Sequence, residues 1–201
     1  MSASWKSAIA VTMIMVSSSL FAAVKVGEKA PDFKVQDTQG NQRSLSEFAG
    51  KTVVLEWTNP ECPFVKKHYG SQNIQKQQAD ATRNGVVWLS INSSAKGKEG
   101  HLNGVQAKEI EAKWKAAPTA YLLDEDGKVG RLYGAKTTPH MYIVDSKGVL
   151  RYNGAIDSVP STDDADIAKA KQYVSIGLSE LAAGKPLTTS VSQPYGCGVK
   201  Y

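Results

Sequence analysis

The chain of 201 residues is long enough to bury one good core and too short for two sizeable domains. A hydrophobic fraction of 41% against 21% charged residues excludes wholesale disorder, and two cysteines in this length exclude a fold that depends on disulfide staples. The formal net charge of +5 is mild. Lys66, Lys67, Lys76, Lys96, Lys98, Lys108, Lys113 and Lys115 are scattered through segments that mostly also carry Glu or Gln, so they read as a solvated face and not as a nucleic-acid surface.

The first residues read as an export signal. Lys6 supplies a positive start, Ala8 to Val16 is almost free of polar side chains, and the stretch from Ser17 ends in small residues, with cleavage expected after Ala22 or Ala23. The apolar run is shorter than the roughly 20 residues needed to span a bilayer, so no stable membrane insertion is expected after cleavage. No cysteine lies near the cut, which speaks against a lipid anchor. The mature chain is expected to be soluble in the periplasm or secreted, where cysteines pair readily. Its organisation reads as a signal over 1–23, one domain over 24–184 and a tail over 185–201.

After an entry loop, an alternating strand ends at Asp37, and Thr38-Gln39-Gly40-Asn41 reads as a hairpin turn. Ser44 to Phe48 suggests a short capped helical turn. Thr52 to Trp57 is an apolar run broken only by Glu56, as in a strand buried on both faces. A long helix is predicted from Pro63 to about Arg83, with proline in its first turn. Strands follow at Val86–Ile91, Ala120–Leu123, Met141–Asp145 and Val149–Asn153, with a helix over Val105–Lys115. An amphipathic helix over Asp163–Ala183 closes the domain, its apolar residues Ile167, Ala170, Val174, Leu178 and Leu181 at steps of three and four. This order indicates a layered α/β domain with a mixed sheet, and the tail beyond Gly184 shows no regular periodicity.

Cys62 hangs at the carboxyl end of the buried strand and opens a helix. Unpaired backbone amides and the helix dipole at such a position stabilise a thiolate, so a nucleophile is expected there in preference to an inert buried thiol. The pattern of strand, Trp57, Pro60, Cys62, Pro63 and helix resembles the thioredoxin superfamily in its redoxin, peroxiredoxin-like branch, from about Val24 to Gly184. The resemblance implies a thioredoxin-like fold with a central mixed sheet flanked by helices and an N-terminal hairpin extension. It also implies that Thr138 and a cis Pro139 pack beside the reactive cysteine and present backbone to substrate.

The departures from that pattern matter. Val65 stands where a CxxC motif would put its second thiol, and Asn59 and Leu55 stand where a typical peroxiredoxin has its hydroxyl residue and proline. The motif Asn59-Pro60-Glu61-Cys62-Pro63-Phe64-Val65, with a tail carrying Tyr195-Gly196-Cys197, is similar to a bacterial peroxiredoxin-like subgroup.

Cys197 lies between Gly196 and Gly198, which free the backbone, while Tyr195 and Tyr201 are candidates to anchor the tail. Three roles stay open for it: a resolving thiol for Cys62, a permanent staple to it, or a thiol for intermolecular pairing. Closing the loop from 62 to 197 would stabilise the fold by about 5 kcal/mol on the chain-entropy model. His68, His101 and His140 read as solvated or structural, and Asp124, Asp126 and Asp145 as turn residues.

The reading is an exported thiol-disulfide oxidoreductase. Cys62 attacks a disulfide, Thr138 and Pro139 position the substrate and Cys197 resolves the intermediate; in a variant, peroxide oxidises Cys62 first. Its partners are protein or small-molecule thiols and disulfides, with no cofactor and no metal. The alternative is a noncatalytic thiol-based binding protein or copper chaperone on the same fold.

Overall fold

A computed structural model describes residues 23–201. The expected signal falls on residues 1–22, outside the described residues, apart from its last position.

The hairpin is present as β1 (Lys34–Asp37) and β2 (Gln42–Ser44), followed by a 3₁₀ turn at Ser46–Phe48 and by β3 (Val53–Trp57). Two helices, α1 (Pro63–Gly70) and α2 (Asn73–Arg83), precede β4 (Val87–Asn92). Then come α3 (Gly104–Trp114), β5 (Ala120–Leu123), α4 (Lys128–Tyr133) and a two-residue β6 (Thr137–Thr138). The sequence closes with β7 (His140–Val144), β8 (Leu150–Gly154), α5 (Tyr173–Ala182) and β9 (Cys197–Gly198).

Seven strands form one sheet in the order β2-β1-β5-β4-β3-β7-β8. β3, β4 and β5 run parallel, while the β1–β2, β1–β5, β3–β7 and β7–β8 pairs are antiparallel. The sheet is therefore mixed and the α/β expectation holds. Alternate residues of β3 serve opposite faces, as a strand requires. Val53, Leu55 and Trp57 pack with Phe33, Phe48, Val129 and Tyr133, whereas Val54 packs with Val65, Tyr69, Ile74 and Val174 from α1, α2 and α5.

The break in the apolar run of β3 has its reason on the helical face. Glu56 is fully buried, and its carboxyl accepts from Trp88 Nε1 at 2.7 Å, Tyr69 Oη at 2.8 Å and Ser90 Oγ at 3.0 Å, with Gln78 Nε2 at 3.4 Å. Burial raises its pKa against those hydrogen bonds.

Three expectations need correction. The helix predicted over 63–83 is two helices, because Gln72 adopts a left-handed conformation (φ 61°) and Ser71 Oγ turns back to donate to Lys67 O at 2.8 Å. The predicted helix over 163–183 begins only at Tyr173. Its first part forms a loop with a 3₁₀ turn at Asp164–Asp166, where Asp163 caps the turn and the Asp157–Gln172 bridge ties the ends. Lys67 is not solvated but 3% exposed, with its ammonium donating to Val159 O and Ser161 Oγ. Among the described residues no helix is long and apolar enough to cross a membrane.

Candidate active site

β3 delivers the chain to a turn that the sequence encodes around Asn59. Its Oδ1 accepts from Glu61 N at 2.8 Å, its Nδ2 donates to Glu99 O at 3.1 Å, and Cys62 N donates back to Asn59 O at 3.2 Å. Gly100 (φ +77°) lies so close that any Cβ there would overlap the Asn59 side chain. Asn59 is thus a positioning residue, clamped between two loops. The departure it represents from the usual peroxiredoxin motif is a structural brace here.

Cys62 then caps α1, with Pro63 in the first turn and Lys66 N donating to Cys62 O at 2.9 Å. Its thiol makes no capping bond to the helix and instead donates to Thr138 O at 3.0 Å. The Thr138–Pro139 bond is cis, as the resemblance implied. Cys62 is 0% exposed, so the residue expected as a nucleophile is enclosed by protein.

The covering comes from the tail, which periodicity alone marked as irregular. β9 pairs antiparallel with β6, and Cys197 sits opposite Thr138. Both cysteines therefore meet the same residue, Cys62 through its carbonyl and Cys197 across the strand pair. Gly196 makes this approach possible: its φ of +132° suits glycine alone, and a Cβ would overlap the Thr138 carbonyl oxygen. Both cysteines are free thiols in this structure. Burial first, then its interaction with the Cys62 sulfur, pushes the Cys197 thiol up to about 12.

Both tyrosine anchors expected from the sequence are in place. Tyr201 donates to Ala135 O at 2.8 Å, and the Arg131 guanidinium lies 4.4 Å from its ring centre. The backbone of the tail joins in through Val199 N to Lys136 O and Ala95 N to Lys200 O. Tyr195 meets Phe64 edge to face and donates to Asp157 Oδ1 at 2.5 Å. His68 Nε2 lies 3.1 Å from the Tyr195 hydroxyl, and Asn73 Nδ2 lies 2.9 Å from His68 Nδ1. With Nδ1 accepting from Asn73, His68 donates through Nε2, giving a polar chain from Asn73 through His68 and Tyr195 to Asp157. Sequence reasoning missed this chain because its members lie 127 and 38 residues apart along the backbone. The aromatic residue two before Cys197 was the one visible signal.

His140, directly after Pro139, is held by Asn153 Oδ1 at 2.8 Å and by Lys136 N at 3.2 Å. His101 lies 3.5 Å from Glu125 and stays apart from both cysteines' hydrogen bonds. Burial lowers both His68 and His140 to about 4; Asp157 opposes it at His68, and the Asn153 hydrogen bond opposes it at His140. Each imidazole is neutral in the folded protein and protonates near 6.5 when unfolded. The stability it contributes is complete above pH 6.5 and is lost as pH falls towards 4. Each shift corresponds to about 3 kcal/mol across that window. The raised carboxyls of Glu56 and Asp124 act in the opposite sense, so the effect is read by difference. In urea unfolding, the stability gap between the unmodified protein and His140→Gln should shrink by about 2–3 kcal/mol from pH 7 to pH 4. A gap that stays constant would contradict a depressed His140.

Comparison with known proteins places this geometry. The chain is 29% identical over 165 residues to a chloroplastic peroxiredoxin Q of Sedum lineare, covering 73% of this chain and 78% of that one. It is 29% identical over 136 residues to the thiol-disulfide oxidoreductase ResA of Geobacillus thermodenitrificans, covering 64% and 68%. A crystal structure of a hypothetical protein from Sinorhizobium meliloti 1021 superposes with a TM-score of 0.74 over 90% of this chain and 96% of that one, at 22% identity, a likeness of fold. The model of the AhpC/TSA family matches residues 26–153, which span β1 to β8 and include Cys62, Thr138 and Pro139, and the chain belongs to that family of thioredoxin-like redoxins.

Proposed function

We propose that the protein is an exported thiol-disulfide oxidoreductase whose redox centre is the pair Cys62 and Cys197. The observation that carries this reading is the β6–β9 pairing, which sets Cys197 against Thr138 while Thr138 O holds the Cys62 thiol. The pair cycles between two thiols and one disulfide: two electrons and two protons leave it when a partner disulfide is reduced, and return when partner thiols are oxidised. Thr138 and Pro139 are the residues against which the sulfurs exchange, with the domain over 24–184 as scaffold and the tail over 185–201 as carrier of the second thiol. Residues 1–23 act as the export signal.

Disulfide exchange is favoured over peroxide reduction of the usual kind. Each arginine of the chain is engaged away from Cys62: Arg43 with Asp37 and Glu47, Arg83 with Asp80, Arg131 with Asp126 O and Tyr201, and Arg151 with Asp145. Mass mapping of the mildly oxidised mature protein, followed by titration against glutathione, tests the reading. A Cys62–Cys197 bond with a potential between about −120 and −270 mV supports redox cycling, a bond below about −300 mV marks a staple, and two thiols that stay free overturn the pair.

A further inference from the structure

Thiol-disulfide exchange is a displacement at sulfur: the incoming thiolate, the attacked sulfur and the departing sulfur lie close to one line. The nucleophile must therefore reach the far side of the sulfur that it attacks. In this fold the two sulfurs of the proposed pair differ in that respect. Cys62 is 0% exposed, enclosed by α1, by the Thr138 carbonyl and by the docked tail. Cys197 is partly exposed, and the next residue, Gly198, is exposed. A bond between them would run from an enclosed sulfur to a partly exposed one, so the approach that solvent leaves to the pair leads to Cys197.

We propose, resting on the Cys62–Cys197 reading above, that the tail cysteine Cys197 is the point of entry for external thiols, and that the disulfide form oxidises such thiols with Cys62 as the internal leaving group. In the first step an external thiolate attacks the Cys197 sulfur. A new bond joins the two, the Cys62–Cys197 bond breaks, and Cys62 leaves as a thiolate and takes up a proton. In the second step another thiolate attacks the external sulfur of that adduct, releasing a disulfide of the two external thiols and leaving Cys197 to be protonated. Two external thiols lose two electrons and the protein disulfide gains them.

The roles are thereby inverted from those read in the sequence, where Cys62 meets the substrate and Cys197 resolves. The substrate class is a thiol able to reach a strand edge at the surface, with no need to open the core.

The test uses the full mature chain in its disulfide form, with glutathione as the probe. Mapping of that form first establishes the 62–197 bond; if none forms, the redox-pair reading fails before this inference is tested. Glutathione is then added and the reaction stopped with acid at short times. The adduct is expected on Cys197, with Cys62 free; an adduct on Cys62 overturns the proposal. A second measurement keeps the test decisive when no adduct accumulates. With one thiol left at a time in the full mature chain, Cys197 in Cys62→Ser should form a mixed disulfide with oxidised glutathione at least about ten-fold faster than Cys62 does in Cys197→Ser, because only Cys197 is partly exposed, and equal rates or a faster Cys62 overturn the proposal.

Discussion

Gly196→Ala should shift the Cys62–Cys197 equilibrium towards the dithiol by at least about 100-fold in a glutathione redox buffer. A non-glycine residue held in such a sparsely populated backbone region costs about 1–3 kcal/mol, before counting overlap of its Cβ with the Thr138 carbonyl oxygen. Relief comes only by lifting β9 from β6, which removes Cys197 from its place opposite Thr138. Two docked thiols face each other as though at very high concentration, whereas a thiol on a loose tether is present at only about millimolar levels. The readout is the ratio of oxidised to reduced protein by mass spectrometry, and an unchanged ratio would remove the tail's docking as the cause of pairing. Uncovered by the same change, Cys62 should also alkylate faster.

The second large effect is on stability. Glu56→Ala should cost about 3–5 kcal/mol in denaturant unfolding, since it strands buried donors that have no access to water. Trp88 Nε1 and Ser90 Oγ from β4 and Tyr69 Oη from α1 all point at this carboxyl, so the helical layer and the sheet lose one shared fastening. Glu56→Gln keeps the volume and one acceptor oxygen and should cost distinctly less. A loss below about 1 kcal/mol for the alanine variant would mean that the donors find other partners.

These two positions also show what a reader of the sequence can and cannot obtain. The strands β3, β4 and β7 were legible because a strand buried on both faces leaves a continuous apolar run. Glu56 stood out as the break in such a run, although its partners did not. The helix beginning at Pro63 was legible at its start and not at its end. Nothing apolar or proline-based marks Gln72, whose left-handed backbone is set by the packing of α1 against α2. Ile167 and Ala170 offered helical spacing ahead of Val174, but they stand among Asp163, Asp164, Asp166, Lys169 and Lys171 and are only half-buried, and the helix waited for Tyr173. α4, with six residues around Gly130, was too short for periodicity to register.

For the site, the position of Cys62 could be read and its environment could not. Local patterns place a cysteine at the end of a strand, but its burial is contributed by a segment at the other end of the sequence. That segment docks through two rings, one backbone pairing and one glycine. None of those features repeats with a helical or strand period, so composition near Cys197 suggested freedom where the structure has a fixed strand.

The β6–β9 pairing also makes the redox state a reporter of assembly. The two thiols sit on segments that meet only when the sheet between them, the Thr138 loop and the docked tail are all in place. Whatever favours that arrangement favours the disulfide by the same free energy, and closing the disulfide returns that energy to the fold. A chain that is only partly folded lacks the docked geometry and pairs its thiols less favourably. Under the proposed pairing, oxidation acts as a seal that sets on a finished molecule, and damage to the body remote from either sulfur should surface first as a shift in its reduction potential.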